Sequence, residues 1–330
     1  MNVSNAGSPI SSSLAGHFRK LSLGLRLFIA ALRHKKIHPL TVRALATAFF
    51  HLFKTPHLRD FESGLMVTKA QVDQFLRSGW DYTEQRLNLL QATDFPISLA
   101  GIDRLTKFYR RMIGVSENTF EEALTTIYQD PDYPVFQHVG QAFRNQVAGR
   151  QSFVLQRLAQ LDNPTFQFCD AGCGAGILLG DVLEAFPQSY GVGVDVSVVM
   201  LQHAGRVLKY WSLDGRVKFV NADLRWLPFS YHQFEVVAAL EVLEHLPEPQ
   251  NGLRELLRVL KPEGLLLTSI PVQSKTPGHL YLFRTPQDVI EFHQAAGLEI
   301  VQLQVDDTAP DMPDVKIASR PLFSQGYPHV

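Results

Sequence analysis

With 330 residues, 45% of them hydrophobic, the chain is long enough for two domains with full cores. No run approaches the roughly 18 consecutive apolar residues of a membrane span, and two cysteines, Cys169 and Cys173, exclude a disulfide framework and lack the partners of a zinc site. The formal net charge of −1 hides an uneven distribution: residues 1–60 hold nine basic residues (Arg19, Lys20, Arg26, Arg33, Lys35, Lys36, Arg43, Lys54, Arg59) against the single acid Asp60, so the remainder is acidic by about nine charges.

In chain order, Met1 to Ala15 is rich in Ser, Gly and Asn and reads as a disordered tail, residues 1–15. From His17 to His34, Leu21, Leu25, Phe28 and Leu32 share one helical face, with Arg19, Lys20, Arg26 and Arg33 elsewhere. Such a basic amphipathic helix, residues 17–36, suits peripheral contact with an anionic membrane surface; the competing reading, packing on the protein's own acidic body, is the expected one. The apolar stretch Leu21 to Leu32 is interrupted by Arg26 and carries no small-residue cleavage pattern, so no export signal is read and a reducing, cytoplasmic setting is expected. Helical patterns follow at Pro39 to Phe53, Thr68 to Leu90 with a break near Gly79, Ile102 to Ile113 and Thr119 to Ile127. Asp130 to Pro134 is a proline-marked turn, and Val135 to Leu161 reads as one long helix. Residues 16–150 are thus expected to form a helical domain and 151–330 a second, α/β domain.

The second domain begins with FQFCDAGCGAGILLGDVLEAFP, Phe166 to Pro187. Phe166 to Cys169 reads as a buried strand, and Ile177, Leu178, Val182, Leu183 and Phe186 recur at helical spacing. Gly172, Gly174 and Gly176 therefore occupy a strand-to-helix corner, where glycine admits positive φ and lets a ligand approach bare backbone. A dinucleotide fingerprint would need Gly or Ala at position 177, which is Ile177. Asp170 would repel a pyrophosphate and suits a ligand with a cationic amino-acid end, S-adenosylmethionine being the natural one. Tyr190 to Val194 is a second strand ending in Asp195, about 20 residues beyond the glycines, where this architecture places a carboxylate on ribose hydroxyls. Val217 to Val220 is a third strand followed by Asn221-Ala222-Asp223-Leu224, and Phe234 to Leu240 a fourth leading into Glu241-Val242-Leu243-Glu244-His245-Leu246. A helix from about Pro249 to Leu260, the turn Lys261-Pro262-Glu263-Gly264, a strand Leu265 to Ile270, a helix Thr285 to Ala296 stopped by Gly297 and a strand Leu298 to Val305 complete the pattern.

Over residues 164–305 this order resembles the class I S-adenosylmethionine-dependent methyltransferases, whose first motif is an acid followed by G-x-G-x-G, here Asp170 to Gly176, and whose later mark is "LKPEGLLL" after "EVLEHL". The resemblance, to the small-molecule, quinone-biosynthesis-like branch, implies a Rossmann-like α/β sheet flanked by helices with an N-terminal all-helical domain that covers the cofactor and forms part of the acceptor pocket. It implies an S-adenosyl-L-methionine site of Asp170, Gly172, Gly174, Gly176, Asp195, Val196, Ala222, Asp223, Leu224, Leu240 and Glu241, with S-adenosyl-L-homocysteine as product. No family is recognised in the N-terminal half; its aromatic residues, among them Phe108, Tyr109, Phe120, Tyr128, Tyr133 and Phe136, permit a hydrophobic acceptor, though at helical spacing they are more often ordinary core.

Methyl transfer from a sulfonium is an in-line displacement that needs a base only when the acceptor loses a proton. His245, after the fourth strand, is the candidate base; its bland reading is a residue that packs or caps the strand end. Glu241, Glu244 and His245 stand at i, i+3 and i+4, on one side of a helical turn, and His279 could join them. The same Glu-x-x-Glu-His pattern resembles the magnesium-binding element of polyprenyl-catechol O-methyltransferases and small-RNA terminal 2′-O-methyltransferases, although no metal is the expected state. The reading reached from sequence is a methyltransferase acting on a small, hydrophobic-leaning acceptor, preferentially at oxygen. The alternatives are an RNA-modifying enzyme gripping phosphates with the basic arm, for which no aromatic-interleaved RNA-binding motif is visible, and a non-catalytic binding protein, against which the intact cofactor positions speak. Oligomeric state is not legible.

Overall fold

The computed structural model describes residues 89, 92, 93, 104, 105, 117–134, 137, 146–274, 278–306 and 313–322. The helices expected at Pro39 to Phe53 and Thr68 to Leu90, the basic segment 17–36 and most of Ile102 to Ile113 lie outside these residues or nearly so. What is described begins with helix α1 (Glu117–Tyr128) and helix α2 (Gln146–Leu158). Of the long helix expected over Val135 to Leu161, Gln137 and residues 146–158 are helical among the described residues, and α2 runs across the expected domain boundary at 150/151. Phe153, Val154 and Leu158 of α2 are buried against the sheet.

Strand β1 (Gln167–Ala171) is buried at four consecutive positions and β4 (Phe234–Leu240) at nearly all, as befits central parallel strands covered on both faces. Alternate side chains serve two cores. Phe168, Val236 and Ala238 pack with α2 and helix α3 (Ile177–Ala185), whereas Cys169, Val237 and Ala239 pack on the opposite side with helix α5 (Pro249–Val259) and helix α6 (Pro286–Ala295). With β2 (Tyr190–Asp195), helix α4 (Val198–Tyr210), β3 (Val217–Asn221), β5 (Leu260–Pro271), β6 (Leu298–Asp306) and β7 (Asp314–Pro321), the sheet has the order β3-β2-β1-β4-β5-β7-β6. The pairs from β3 through β5 are parallel, and β7 is antiparallel to both β5 and β6. The chain winds outward from β1 to β3, then crosses back to β4, so the strand order reverses beside β1; ligands bind such sheets at the carboxyl ends of the strands flanking that reversal.

Two details differ from the sequence reading. Lys261 to Gly264 is not a turn ahead of the fifth strand but an irregularity inside it: Leu260 already pairs with Phe234, and pairing resumes at Val236 and Leu265. Strand β7 lies beyond the last element expected from sequence, and its Asp314 and Lys316, of types that ordinarily stay at a surface, are fully buried. Helix starts follow their capping chemistry. Ser197 accepts from the Met200 amide at α4, and Thr285 accepts from the Asp288 amide at α6, which has Pro286 in its first turn.

Candidate active site

The cleft at the reversal point encloses about 970 Å3 including its open mouth, and it is lined by residues of α1, the glycine corner and the ends of β2, β3 and β4. At the corner, the Gly172 and Cys173 amides donate to the Val194 carbonyl at 2.7 and 2.9 Å, tying the loop to the end of β2. Gly172 has φ +81°, and a Cβ there would sit 2.3 Å from a Val242 methyl, so a larger residue fits only if Val242 leaves its rotamer or the turn after β4 shifts.

Asp195 ends β2 one strand away from the corner, and its spacing from the glycines follows from that adjacency. Its Oδ2 accepts from the Gly174 amide and its Oδ1 from the Ser197 amide, both at 2.8 Å. Burial pushes this carboxyl up and the two amides pull it back. Each oxygen keeps a lone pair, enough to accept from a pair of hydroxyls. Asp223, past β3, is gripped by Arg225, whose Nε and Nη2 donate to its two oxygens at 3.0 and 2.6 Å. Burial alone would raise Asp223, but the guanidinium outweighs it and holds the carboxyl below its usual range. Arg225 also meets Glu121 of α1 at 2.8 Å, which joins the roof helix to the wall of the cleft.

Further fastenings hold that roof. Gln129 donates to the Val196 carbonyl at 2.9 Å and accepts from the Val198 amide at 3.3 Å, and the Ser197 hydroxyl donates to the Tyr128 carbonyl. Beneath α1, Tyr128 stacks edge-on with Tyr133 at 5.3 Å between ring centres and faces His245, and Leu124, Leu246 and Leu280 supply apolar walls.

The His245 ring is oriented by the backbone. Its Nδ1 lies 2.7 Å from the Gly278 carbonyl, which requires a proton on Nδ1 and leaves the lone pair on Nε2; the Tyr128 hydroxyl is a weaker neighbour of Nδ1 at 3.4 Å. His279 repeats the arrangement, with Nδ1 3.2 Å from the Ser274 carbonyl, and the two rings meet edge to face at 5.0 Å. Glu244 is fully buried, with an oxygen 3.9 Å from His245 Nε2, too far for a hydrogen bond. Desolvation first, and the charge of Glu241 second, push the Glu244 carboxyl well above its ordinary range. Donor atoms of Glu244, His245 and His279 all lie within 4.8 Å of one another.

Glu241 does not join them. It has φ +57°, and its carboxylate meets Arg150 at 3.0 Å. Leu243–His245 forms a single 3-10 turn, so the helical turn expected from 241 to 245 is not made. Of the residues expected to hold cofactor, Gly172, Gly174, Asp195, Val196, Ala222, Asp223, Leu224 and Glu241 line the cleft, whereas Asp170, Gly176 and Leu240 do not. Asp170 sits behind the corner, 3% exposed, with Oδ2 unpartnered among the described residues; burial, and then the charge of Asp195, push it up to about 7. Gly176 instead begins α3 with φ +72°. Reading the sequence missed Arg150 and Arg225. Arg225 had a local signal, two residues beyond an acid it can chelate; Arg150 had none.

A family model described as "Methyltransferase domain" matches residues 168–264. Among curated proteins, the chain is 36% identical over 36% of its length to trans-aconitate 2-methyltransferase of Azoarcus sp. (strain BH72), covering 44% of that protein. It is 31% identical over 52% of its length to malonyl-[acyl-carrier protein] O-methyltransferase of Herminiimonas arsenicoxydans, covering 67% of that protein. The chain belongs to the class I S-adenosylmethionine-dependent methyltransferases. A sterol 24-C-methyltransferase of Debaryomyces hansenii is 27% identical over 39% of this methyltransferase, which spans 33% of it. The methyltransferase thus covers less than half of two of these relatives. Its cofactor is S-adenosylmethionine, and the residues present fit that molecule: a corner whose Gly172 and Gly174 border the cleft with no side chain of their own, and two carboxylates, Asp195 and Asp223, lining the same cleft. Among the described residues, no helix is long and apolar enough to cross a membrane.

Proposed function

We propose that this methyltransferase methylates an oxygen of a small, largely hydrophobic acceptor held between α1 and the turn after β4. The observation that carries the reading is one cleft bringing Asp195 and Asp223 together with Tyr128, Tyr133, His245 and Leu280. In it, Asp195 accepts from the ribose hydroxyls, Asp223 with Ala222 and Leu224 receives the adenine, Val196 flanks the ribose, and the Gly172 to Gly174 backbone with the Glu241 turn faces the methionine end. Asp170, Gly176 and Leu240 support that corner from behind. S-adenosylmethionine supplies an electrophilic methyl carbon. The protein's part is to orient an acceptor hydroxyl and remove its proton. Since the Gly278 carbonyl holds the proton of neutral His245 on Nδ1, base chemistry there is chemistry at Nε2. Glu244, once ionised, would favour the imidazolium that results. Oxygen methylation agrees with the name of the Herminiimonas relative, and carbon methylation with that of the sterol enzyme. The free, buried Cys169 and Cys173 support a cytoplasmic setting.

Calorimetry of the full chain with S-adenosylhomocysteine is the first test: binding is expected, weakened at least about 10-fold in Asp195→Ala. No binding by the intact protein would overturn the reading. A screen of phenols, catechols, alcohols and carboxylic acids with labelled cofactor then identifies the acceptor. His245→Gln should lower turnover by about 100-fold or more at unchanged product affinity; unchanged turnover removes His245 as base.

A second reading is favoured by the clustering of Glu244, His245 and His279. Both imidazoles are held through Nδ1 by backbone carbonyls, the way metal-binding histidines are oriented. A divalent cation there would occupy the same His245 nitrogen, so the base and ligand roles exclude each other. Turnover that is lost on chelation and restored by one metal, with an anomalous scattering peak among the three residues, would select the metal. The RNA-modifying alternative rests on the basic residues 1–60, outside the described residues, and would show as RNA binding that falls steeply with salt.

A further inference from the structure

Behind the cleft lies a layer of buried charge that the chemistry above does not use. Arg150, on α2, sends Nε to Asp314 Oδ2 at 2.8 Å and Nη2 to Glu241 Oε1 at 3.0 Å. The three side chains are 7%, 0% and 13% exposed. Beside them Lys316, fully buried, meets Asp306 at 3.2 Å. Helix α2 comes so close that a Cβ on Gly149 would touch the Lys316 ammonium at 3.0 Å and the Asp306 carboxylate at 3.3 Å. Burial would lower the Arg150 pKa, yet the carboxylates of Glu241 and Asp314 outweigh it and raise it, so the guanidinium stays charged.

Glu241 is a non-glycine residue in left-handed conformation, φ +57°, directly after β4. That conformation persists in a residue with a side chain only where the surroundings hold it. Two fastenings are visible: its amide donates to the Ser269 carbonyl at 2.9 Å, and its carboxylate is held by Arg150. The next residue, Val242, is the one whose methyl groups cover Gly172, and its carbonyl accepts from the His245 amide at 3.1 Å. The contacts form a chain: Arg150 to Glu241, Glu241 to the turn, Val242 of that turn to the glycine corner.

We propose that Arg150 is a positioning residue for cofactor binding, acting from α2 through Glu241 to set the turn after β4 against the glycine corner. The inference deepens the methyltransferase reading and rests on it. Asp314 is the fixed end of the clamp: it opens β7 and holds the guanidinium through Nε. Lysine cannot replace arginine here, because a single ammonium lacks the fork that reaches two carboxylates at once.

The test is calorimetry of the full chain with S-adenosylhomocysteine, alongside thermal denaturation. Arg150→Lys and Glu241→Gln are each expected to raise the dissociation constant at least about 10-fold, and the double variant to bind no worse than the weaker single one, because both remove the same coupling. Val289→Ala, in the α6 core and 0% exposed, serves as a control for lost stability and should bind within about 2-fold of wild type. Arg150→Lys and Glu241→Gln both binding like wild type would overturn the proposal. So would additive losses in the double variant, or an equal loss in Val289→Ala at a matched melting temperature. Should Arg150→Lys fail to fold, Asp314→Asn, which loosens the same guanidinium from a residue that does not line the cleft, takes its place against Val289→Ala: a loss of at least about 10-fold supports the proposal and wild-type binding overturns it. A wild-type protein that binds no S-adenosylhomocysteine would fail at the methyltransferase reading itself, an outcome separate from these.

Discussion

Replacing Gly172 by alanine puts a methyl group where Val242 already stands, with 2.3 Å to one γ-carbon and 3.0 Å to the other, at a φ of +81°. Two costs add. A residue with a Cβ in left-handed conformation loses about 1–2 kcal/mol relative to glycine, and moving Val242 off its rotamer or shifting the turn behind it adds about 1 kcal/mol more. Gly174→Ala separates these contributions. Its φ is +51°, but its Cβ would meet Met200 and Gln137 at ordinary distances of 3.6 and 3.7 Å, so it carries the conformational cost alone. Gly172→Ala is therefore expected to lower stability by about 2–3 kcal/mol in urea denaturation, and Gly174→Ala by about 1–2. If the corner relaxes to relieve the clash, its backbone leaves the cofactor, and affinity for S-adenosylhomocysteine falls by up to about 100-fold, about 2.7 kcal/mol. Should Gly172→Ala match wild type in both stability and binding, or prove milder than Gly174→Ala, the placement of Val242 over the corner is refuted.

Two other outcomes follow from the charges. Arg225 bonds Asp223 through Nε and Nη2 and Glu121 through Nη1, at 30% and 46% side-chain exposure for the outer pair. Exposed pairs are worth at most about 1 kcal/mol, so Glu121→Gln should change S-adenosylhomocysteine affinity by less than about 5-fold, while Arg225→Ala, which frees Asp223 as well, should cost more; equal effects in calorimetry would shift the weight to the roof contact. Asp170 has its folded pKa raised from 3.8 to about 7 by burial. Between those values the folded chain keeps a proton that the unfolded chain has lost, so this group's contribution is fully present below about pH 4 and is lost as pH rises through about 7, on the order of 4 kcal/mol in all. Asp170→Asn keeps the shape without the titration, and its stability relative to wild type should therefore grow from pH 5 to pH 8 in denaturant melts. A flat difference would show that Asp170 is ionised in the fold.

The sheet through β6 was legible because each strand carries its own signal: Phe168-Cys169, Val192 to Val194 and Val236 to Ala239 are apolar runs whose burial needs no knowledge of partners. The carboxylates of the cleft were legible for a related reason, since the distance from the glycines to Asp195 is set by one helix and one strand, which are local in the chain. Strand β7 was hidden because its signal is relational. Asp314 and Lys316 look like surface residues until Arg150, 164 positions from Asp314, and Asp306 cancel their charges. The direction of Glu241 was hidden in the same way. Spacing at i, i+3 and i+4 holds only for a continuous helix, and a left-handed residue at 241 breaks it, a conformation that its partners at Ser269 and Arg150 sustain. The buried ion pairs that escaped detection are thus also what aims the turn after β4, so in this chain the part of the site least visible in sequence is its orientation, while its chemical composition is the most visible.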